Sequence, residues 1–213
     1  MLSEDLAALV QRIRDGFSRT PHPGDDYLQA SREGCEPEEA VAPFRGVTHW
    51  SSIPSSLLDA QYTALSFFAE GAFRFFVPAF LVADVRSELQ TADPVFHLTG
   101  GFHEVAIEVP IGAVSHVRRS GGAVPMNPRR YGAVTYEDYA RFRLAVFSRE
   151  ECAAIVSYLA WRRDRDTTGL DARAIDAALA AFWTARAQHA PTTAELERHV
   201  EEELRYYRAL SAD

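Results

Sequence analysis

The spacing of apolar positions predicts a chain built mainly from helices. Leu6, Leu9, Val10, Ile13 and Phe17 fall on one helical face behind Ser3, Glu4 and Asp5. That is a capping hydroxyl followed by acids that suit the positive end of a helix dipole. Pro21 and Pro23 cannot continue the ladder, and residues 19–56 read as mostly irregular, anchored by Phe44, Trp50 and Ile53. A helix is expected over residues 55–66. Another starts near Glu70, with Phe73, Phe76, Val77, Phe80 and Leu81 on one face, a Glu70–Arg74 pair on its surface and a bend at Pro78. Six Phe between Phe67 and Phe80 mark the centre of the core.

The middle of the chain changes period. Val105, Ile107, Val109 and Ile111 alternate with Ala106, Glu108 and Pro110, the pattern of a half-buried strand that Pro110 confines to an edge. Ser120–Gly122 is the expected turn and Ala123–Met126 the returning strand, although residues 112–135 read equally well as a long loop. Helical spacing then resumes. Ser148 and Glu151 form a capping box, with Phe147 placed to staple onto Cys152 and with Ile155, Val156 and Leu159 behind it. Thr168–Asp171 suggests a further cap before Ile175, Leu179 and Phe182. Thr192 and Glu195 open a last helix striped by Leu196, Val200, Leu204 and Tyr207. The expected fold is mainly α, a single helical domain over residues 1–213 with a small β element, a hairpin, inserted near residues 103–126.

Composition narrows the chemistry. With 213 residues, 47% of them hydrophobic and 24% charged, the chain can bury a sizeable core without a metal or disulfide. All 22 cationic residues are Arg. Without Lys there is no phosphate-loop clamp, no kinase-type strand lysine and no Schiff base, and guanidinium cannot substitute because it does not deprotonate. The two cysteines, Cys35 and Cys152, argue for a reducing compartment, and Glu4 and Asp5 stand where a signal peptide needs positive charge. The longest uncharged apolar run, Phe75–Ala83, has nine residues, short of the roughly 20 that span a bilayer. A cytoplasmic protein with no membrane partner is expected, and the net charge of −8 argues against nucleic acid.

No constellation for catalysis emerges. His103-Glu104 begins like a zinc-protease helix but has Ile107 where the second His belongs. A metal site from His97, His103 and His116, or from His22, Asp25, Asp26, Cys35 and His49, matches no standard spacing, and a Cys35–His49 nucleophile would sit among acids that oppose the thiolate. Gly100-Gly101 and Gly121-Gly122 do not form a phosphate loop. Neither metal nor cofactor is expected. Charge is segregated, however: six acids (Asp25, Asp26, Glu33, Glu36, Glu38, Glu39) cluster between residues 25 and 39, whereas no acid occurs between Glu108 and Glu137. His116, Arg118, Arg119, Arg129 and Arg130 lie in that gap. They form the candidate ligand-binding set, able to grip carboxylate or phosphate, unless they pair internally with the acidic segment.

Phe44-Arg45-Gly46, Trp50, Ala64–Phe67 and Ala72-Phe73-Arg74-Phe75-Phe76-Val77-Pro78-Ala79-Phe80-Leu81, with Ala154–Leu159, Ala178-Leu179 and Phe182-Trp183 later in the chain, resemble an uncharacterised family of bacterial proteins of unknown function. The resemblance covers about two thirds of the chain and leaves residues 102–139 as an insertion. Similar sequences often pair cysteines near Gly34-Cys35; here Glu38 occupies the second position of such a motif. The resemblance implies packing rather than catalysis. Taken together, the expected function is a non-enzymatic protein-interaction module of the accessory or immunity type, whose acidic surface meets a basic protein partner. The alternative is an enzyme or binding protein for a small anionic ligand held by the Arg-rich loop. Homo-oligomerisation, acidic segment to basic loop, is a further expectation.

Overall fold

A computed structural model describes residues 4–112, 114–127, 129 and 134–210, without the side chains of residues 207, 209 and 210. The fold is mainly α, with one small antiparallel hairpin. In chain order the helices are α1 (Glu4–Gly16), α2 (Glu36–Val41), α3 (Ser55–Ala60), α4 (Ala64–Phe67), α5 (Glu70–Val85), α6 (Pro94–Thr99), α7 (Tyr136–Leu144), α8 (Arg149–Arg163), α9 (Leu170–Ala178), α10 (Thr184–His189) and α11 (Thr193–Leu210). The strands β1 (Val105–Ile111) and β2 (Val114–Ser120) lie between α6 and α7.

The core is organised around α5. Its apolar residues occupy every side of the helix, so it is enclosed rather than amphipathic. It runs on through Pro78 to Val85. Phe44, Phe68 and Phe76 meet with ring centroids 4.9–5.1 Å apart, while Phe147 gathers Phe17, Phe73 and Trp183 at 5.6–6.1 Å. Helix α8 forms the second layer, packed on α1, α9 and α10.

The capping box at the start of α8 is present, and it does more than cap. Glu151 is 1% exposed. Its carboxylate accepts from the Ser148 backbone N–H at 2.8 Å, from the Thr20 hydroxyl, and from Arg74 Nε at 2.8 Å. Arg74 therefore pairs with Glu151 across the core instead of with Glu70 one turn away. A desolvated guanidinium gains more from a fully buried carboxylate than from a half-buried one that water still reaches. Thr193, buried, closes the knot by donating to Ser148 Oγ at 2.9 Å.

Several expected elements are rearranged. The helix over 55–66 is split into α3 and α4 by a turn at residues 61–63, and α4 ends at Phe67, where the chain turns into backbone pairing with residues 28–30 (Ala30 N–H to Phe67 O and Ala69 N–H to Leu28 O, both 2.8 Å). The strand partner of β1 is Val114–Ser120, not Ala123–Met126; the latter segment pairs instead with the chain entering α7, Met126 N–H to Val134 O at 2.8 Å. The cap of α9 comes from Asp166, whose carboxylate accepts from Thr168 and Ala172 N–H, since Gly169 stands at the cap position itself. On α11 the capping box of Thr192 and Glu195 forms, but the stripe it introduces stays exposed at Val200 and Leu204.

Glu151→Ala is expected to cost about 3–5 kcal/mol by stranding Arg74, whereas Glu70→Ala should change stability by less than about 0.5 kcal/mol. Chemical denaturation of the two variants measures both; equal losses would contradict the assignment of Arg74 to Glu151.

Candidate functional site

Two features stand out around the middle of the chain: the hairpin and a cleft behind its root. The register Val105↔Ser120 to Ile111↔Val114 places directly opposed residues on the same face. One face carries Val105, Ile107, Val109 and Ile111 with Val114, His116 and Arg118. The other carries Ala106, Glu108 and Pro110 with Ser115, Val117 and Arg119. Strand β1 is exposed along its whole length, and β2 up to Arg119. In a two-stranded ribbon both strands are edges, which is why Pro110 is tolerated.

Extended backbone thus separates the candidate ligand residues. His116 and Arg118 share the apolar face; Arg119 points to the other face and pairs with Glu104 at 3.0 Å. Arg129 lies beyond the ribbon, its N–H donating to Asn127 Oδ1 at 3.0 Å. Arg130 lies outside the described residues. None of Arg118, Arg119 and Arg129 forms an ion pair with the acids of residues 25–39. Within that acidic segment Glu38 pairs with Arg45, and Asp25 accepts from Gly46 N–H at 3.0 Å.

The hairpin leaves and re-enters the body at one place, and the two glycine pairs explain how. Gly122 N–H donates to Gly101 O at 2.7 Å. Gly101 has φ +97°, and a Cβ there would lie 2.8 Å from Ala140 Cβ; Gly121 has φ +88°, and a Cβ there would lie 2.0 Å from His103 O. Backbone crosses backbone where no side chain fits. The Thr99–Phe102 turn is held from behind by a π-helical turn, Leu179–Trp183, that joins α9 to α10. Trp183 Nε1 donates to Leu98 O at 2.8 Å, and Phe182 stacks on Phe102 at 5.4 Å.

Between this crossing, α6 and α7 opens a cleft of about 380 Å³, with mostly apolar walls and with His97, His103, Tyr136, Tyr139 and Arg143 among its lining residues. Arg143 lies over the Phe73 ring, 4.9 Å from its centroid, and its Nη2 donates to Leu65 O. No described carboxylate reaches it to form an ion pair. Burial pulls its pKa down from the usual guanidinium range. Burial, and then the Arg143 charge, hold His97 at about 4, so at neutral pH His97 is an uncharged imidazole. Arg143 carries no local sequence signal. Arg141, two residues earlier, pairs outward with Glu137 at 2.6 Å; only the rotation of α7 distinguishes them.

The remaining candidates are dispersed. His22 accepts from Gly24 N–H through Nδ1 at 3.0 Å and packs edge-on against Phe75, 4.9 Å away, a core role. Cys152 is buried and its thiol is pushed up to about 12, mainly by burial, so at neutral pH it is protonated; Cys35 is exposed. Among the described residues, no group of three or more His, Cys, Asp or Glu is placed to hold a metal ion, and no helix is long and apolar enough to cross a membrane. Comparison with models of known protein families, with curated proteins and with solved structures finds no match to this chain.

His97 titrates at about 4 in the folded state, against 6.5 for a free imidazole. Its neutral form therefore contributes fully to stability above 6.5. As the pH falls from there to 4 the unfolded chain takes up the proton first, and a contribution on the order of 3 kcal/mol is lost. His97→Gln should remove that part of the pH–stability profile, and an NMR titration of the His97 ring with a midpoint near 6.5 would refute it.

Proposed function

We propose that the chain is a cytosolic, non-enzymatic protein-interaction module of the accessory or immunity type, belonging to the bacterial family that its α5 helix resembles. Its acidic surface meets a cationic one, and the partner we assign is a second copy of the chain, the hairpin of one lying along α11 of the other. The observation that carries this reading is a matched pair of bare surfaces. The hairpin exposes Ile107 (51%) and Ile111 (62%) beside His116 and Arg118. Helix α11 exposes Val200 and Leu204 (49%) among Glu201, Glu202 and Glu203. Neither element packs broadly on the body.

Physical reasons favour covering both. An isolated two-stranded ribbon is marginal in water, and a lone helix draws most of its stability from packing of its apolar face. Unpaired strand edges invite association. Opposite charge on apolar faces gives the encounter its steering and its register. The acids of residues 25–39 leave a second negative surface on the body, with Glu38 and Asp25 already engaged.

Sedimentation velocity at about 100 µM in low salt should give a dimer that weakens when salt is raised to about 500 mM, where exposed charges are screened. Arg118→Glu or Leu204→Asp should each return the chain to monomer, and Arg118→Glu mixed with Glu201→Arg should restore association. A wild-type chain that remains monomeric in low salt defeats the second-copy assignment.

A further inference from the structure

We propose that the cleft behind the hairpin root binds an organic monocarboxylate with an apolar, ring-sized body, its carboxylate gripped by Arg143. This site is independent of the hairpin–α11 reading and does not use the Arg-rich loop.

Arg143 carries a charge with no ion-pair partner among the described residues. Arg143 is largely removed from water by α4, α5 and the cleft wall, lies over Phe73, and satisfies one donor on Leu65 O. Its Nε and Nη1 make no hydrogen bond to a described residue, and Glu70 acts on it only from beyond ion-pair distance. Burying an unpaired charge is costly, so a guanidinium in this setting is stabilised by any anion that reaches it. Its planar fork suits a carboxylate bidentately.

The sign and number of charges fix the ligand class. His97, which also lines the cleft, is uncharged at neutral pH, so it offers a hydrogen bond without a second positive charge. One fixed cation in a mostly apolar enclosure favours a monoanion over a doubly charged phosphate, whose second charge would be desolvated unpaired. Phe96, Tyr136 and Tyr139 line the cleft together with Leu144. They provide flat apolar and aromatic surface for the body of the ligand, and the volume of about 380 Å³ falls within the range of small-molecule sites.

The test uses 3-phenylpropionate, its neutral amide, phenyl phosphate and inorganic phosphate as probes, with isothermal titration calorimetry and thermal shift on the full chain. The carboxylate should bind and raise the melting temperature. The amide and both phosphates should bind at least about tenfold more weakly, the scale of one lost charge-assisted hydrogen-bonded contact. Arg143→Gln should weaken the carboxylate by a similar factor. Because that variant also loses the Leu65 contact, Ala174→Phe, which fills the cleft from α9 and leaves Arg143 in place, should abolish binding in a protein that melts normally. The proposal is overturned if no carboxylate binding is seen, if the amide binds as well as the acid, or if Ala174→Phe binds like wild type.

Discussion

The buried carboxylate of Glu151 fixes how the helices of this fold meet. It joins Arg74 in the central helix, Thr20 after the first helix and the backbone at the start of α8, while Ser148 extends the contact to Thr193 at the start of the last helix. These five groups come from segments spread across most of the chain. Removing water from a charge pair is unfavourable unless every remaining lone pair and proton is satisfied, and here the carboxylate is satisfied by three donors. The arrangement fixes which helix end meets which. Apolar packing of the phenylalanines supplies most of the driving force, but packing alone would tolerate neighbouring rotations of α5 and α8 that this network forbids.

An all-arginine cation set is put to a second structural use. Arg143 reaches the carbonyl of Leu65, Arg186 those of Ala145 and Phe147, Arg149 that of Ala190, and Arg141 that of Ala181. These are carbonyls near helix ends and at the π turn, groups that the helices themselves leave without donors. A planar fork with several donors can meet a carbonyl and a second group at once, which a single ammonium does less well. Several carbonyls near helix ends are therefore met by side chains arriving from other helices, beside the local caps at the N-termini.

The hairpin, the glycine crossing and the cleft form one continuous region. The same backbone crossing that projects the ribbon into solvent also shapes the cleft wall, and the π turn braces both through Trp183 and Phe182. The closely packed body ends at this crossing, with the bare ribbon on one side and Arg143 on the other.

Local pattern determined a good deal. Helical periodicity located α1, α5, α8 and α11, period-two alternation located β1, and the capping boxes at Ser148 and Thr192 were legible because a cap is a contact between residues three apart. What required tertiary structure is every contact made across the chain. Glu151 is a capping residue by its spacing; its pairing with Arg74 depends on two helices meeting. Residues 68 and 69 leave the helix to pair with residues 28–30, which lie beside them. The arginines at 118 and 119 are neighbours in sequence yet face opposite ways in an extended strand, while Arg143, indistinguishable from Arg141 along the chain, is turned inward by the rotation of its helix. Sequence periodicity encodes which face of an element is apolar. Only folding decides which charges lose their water, and the candidate site is built around one such charge, Arg143.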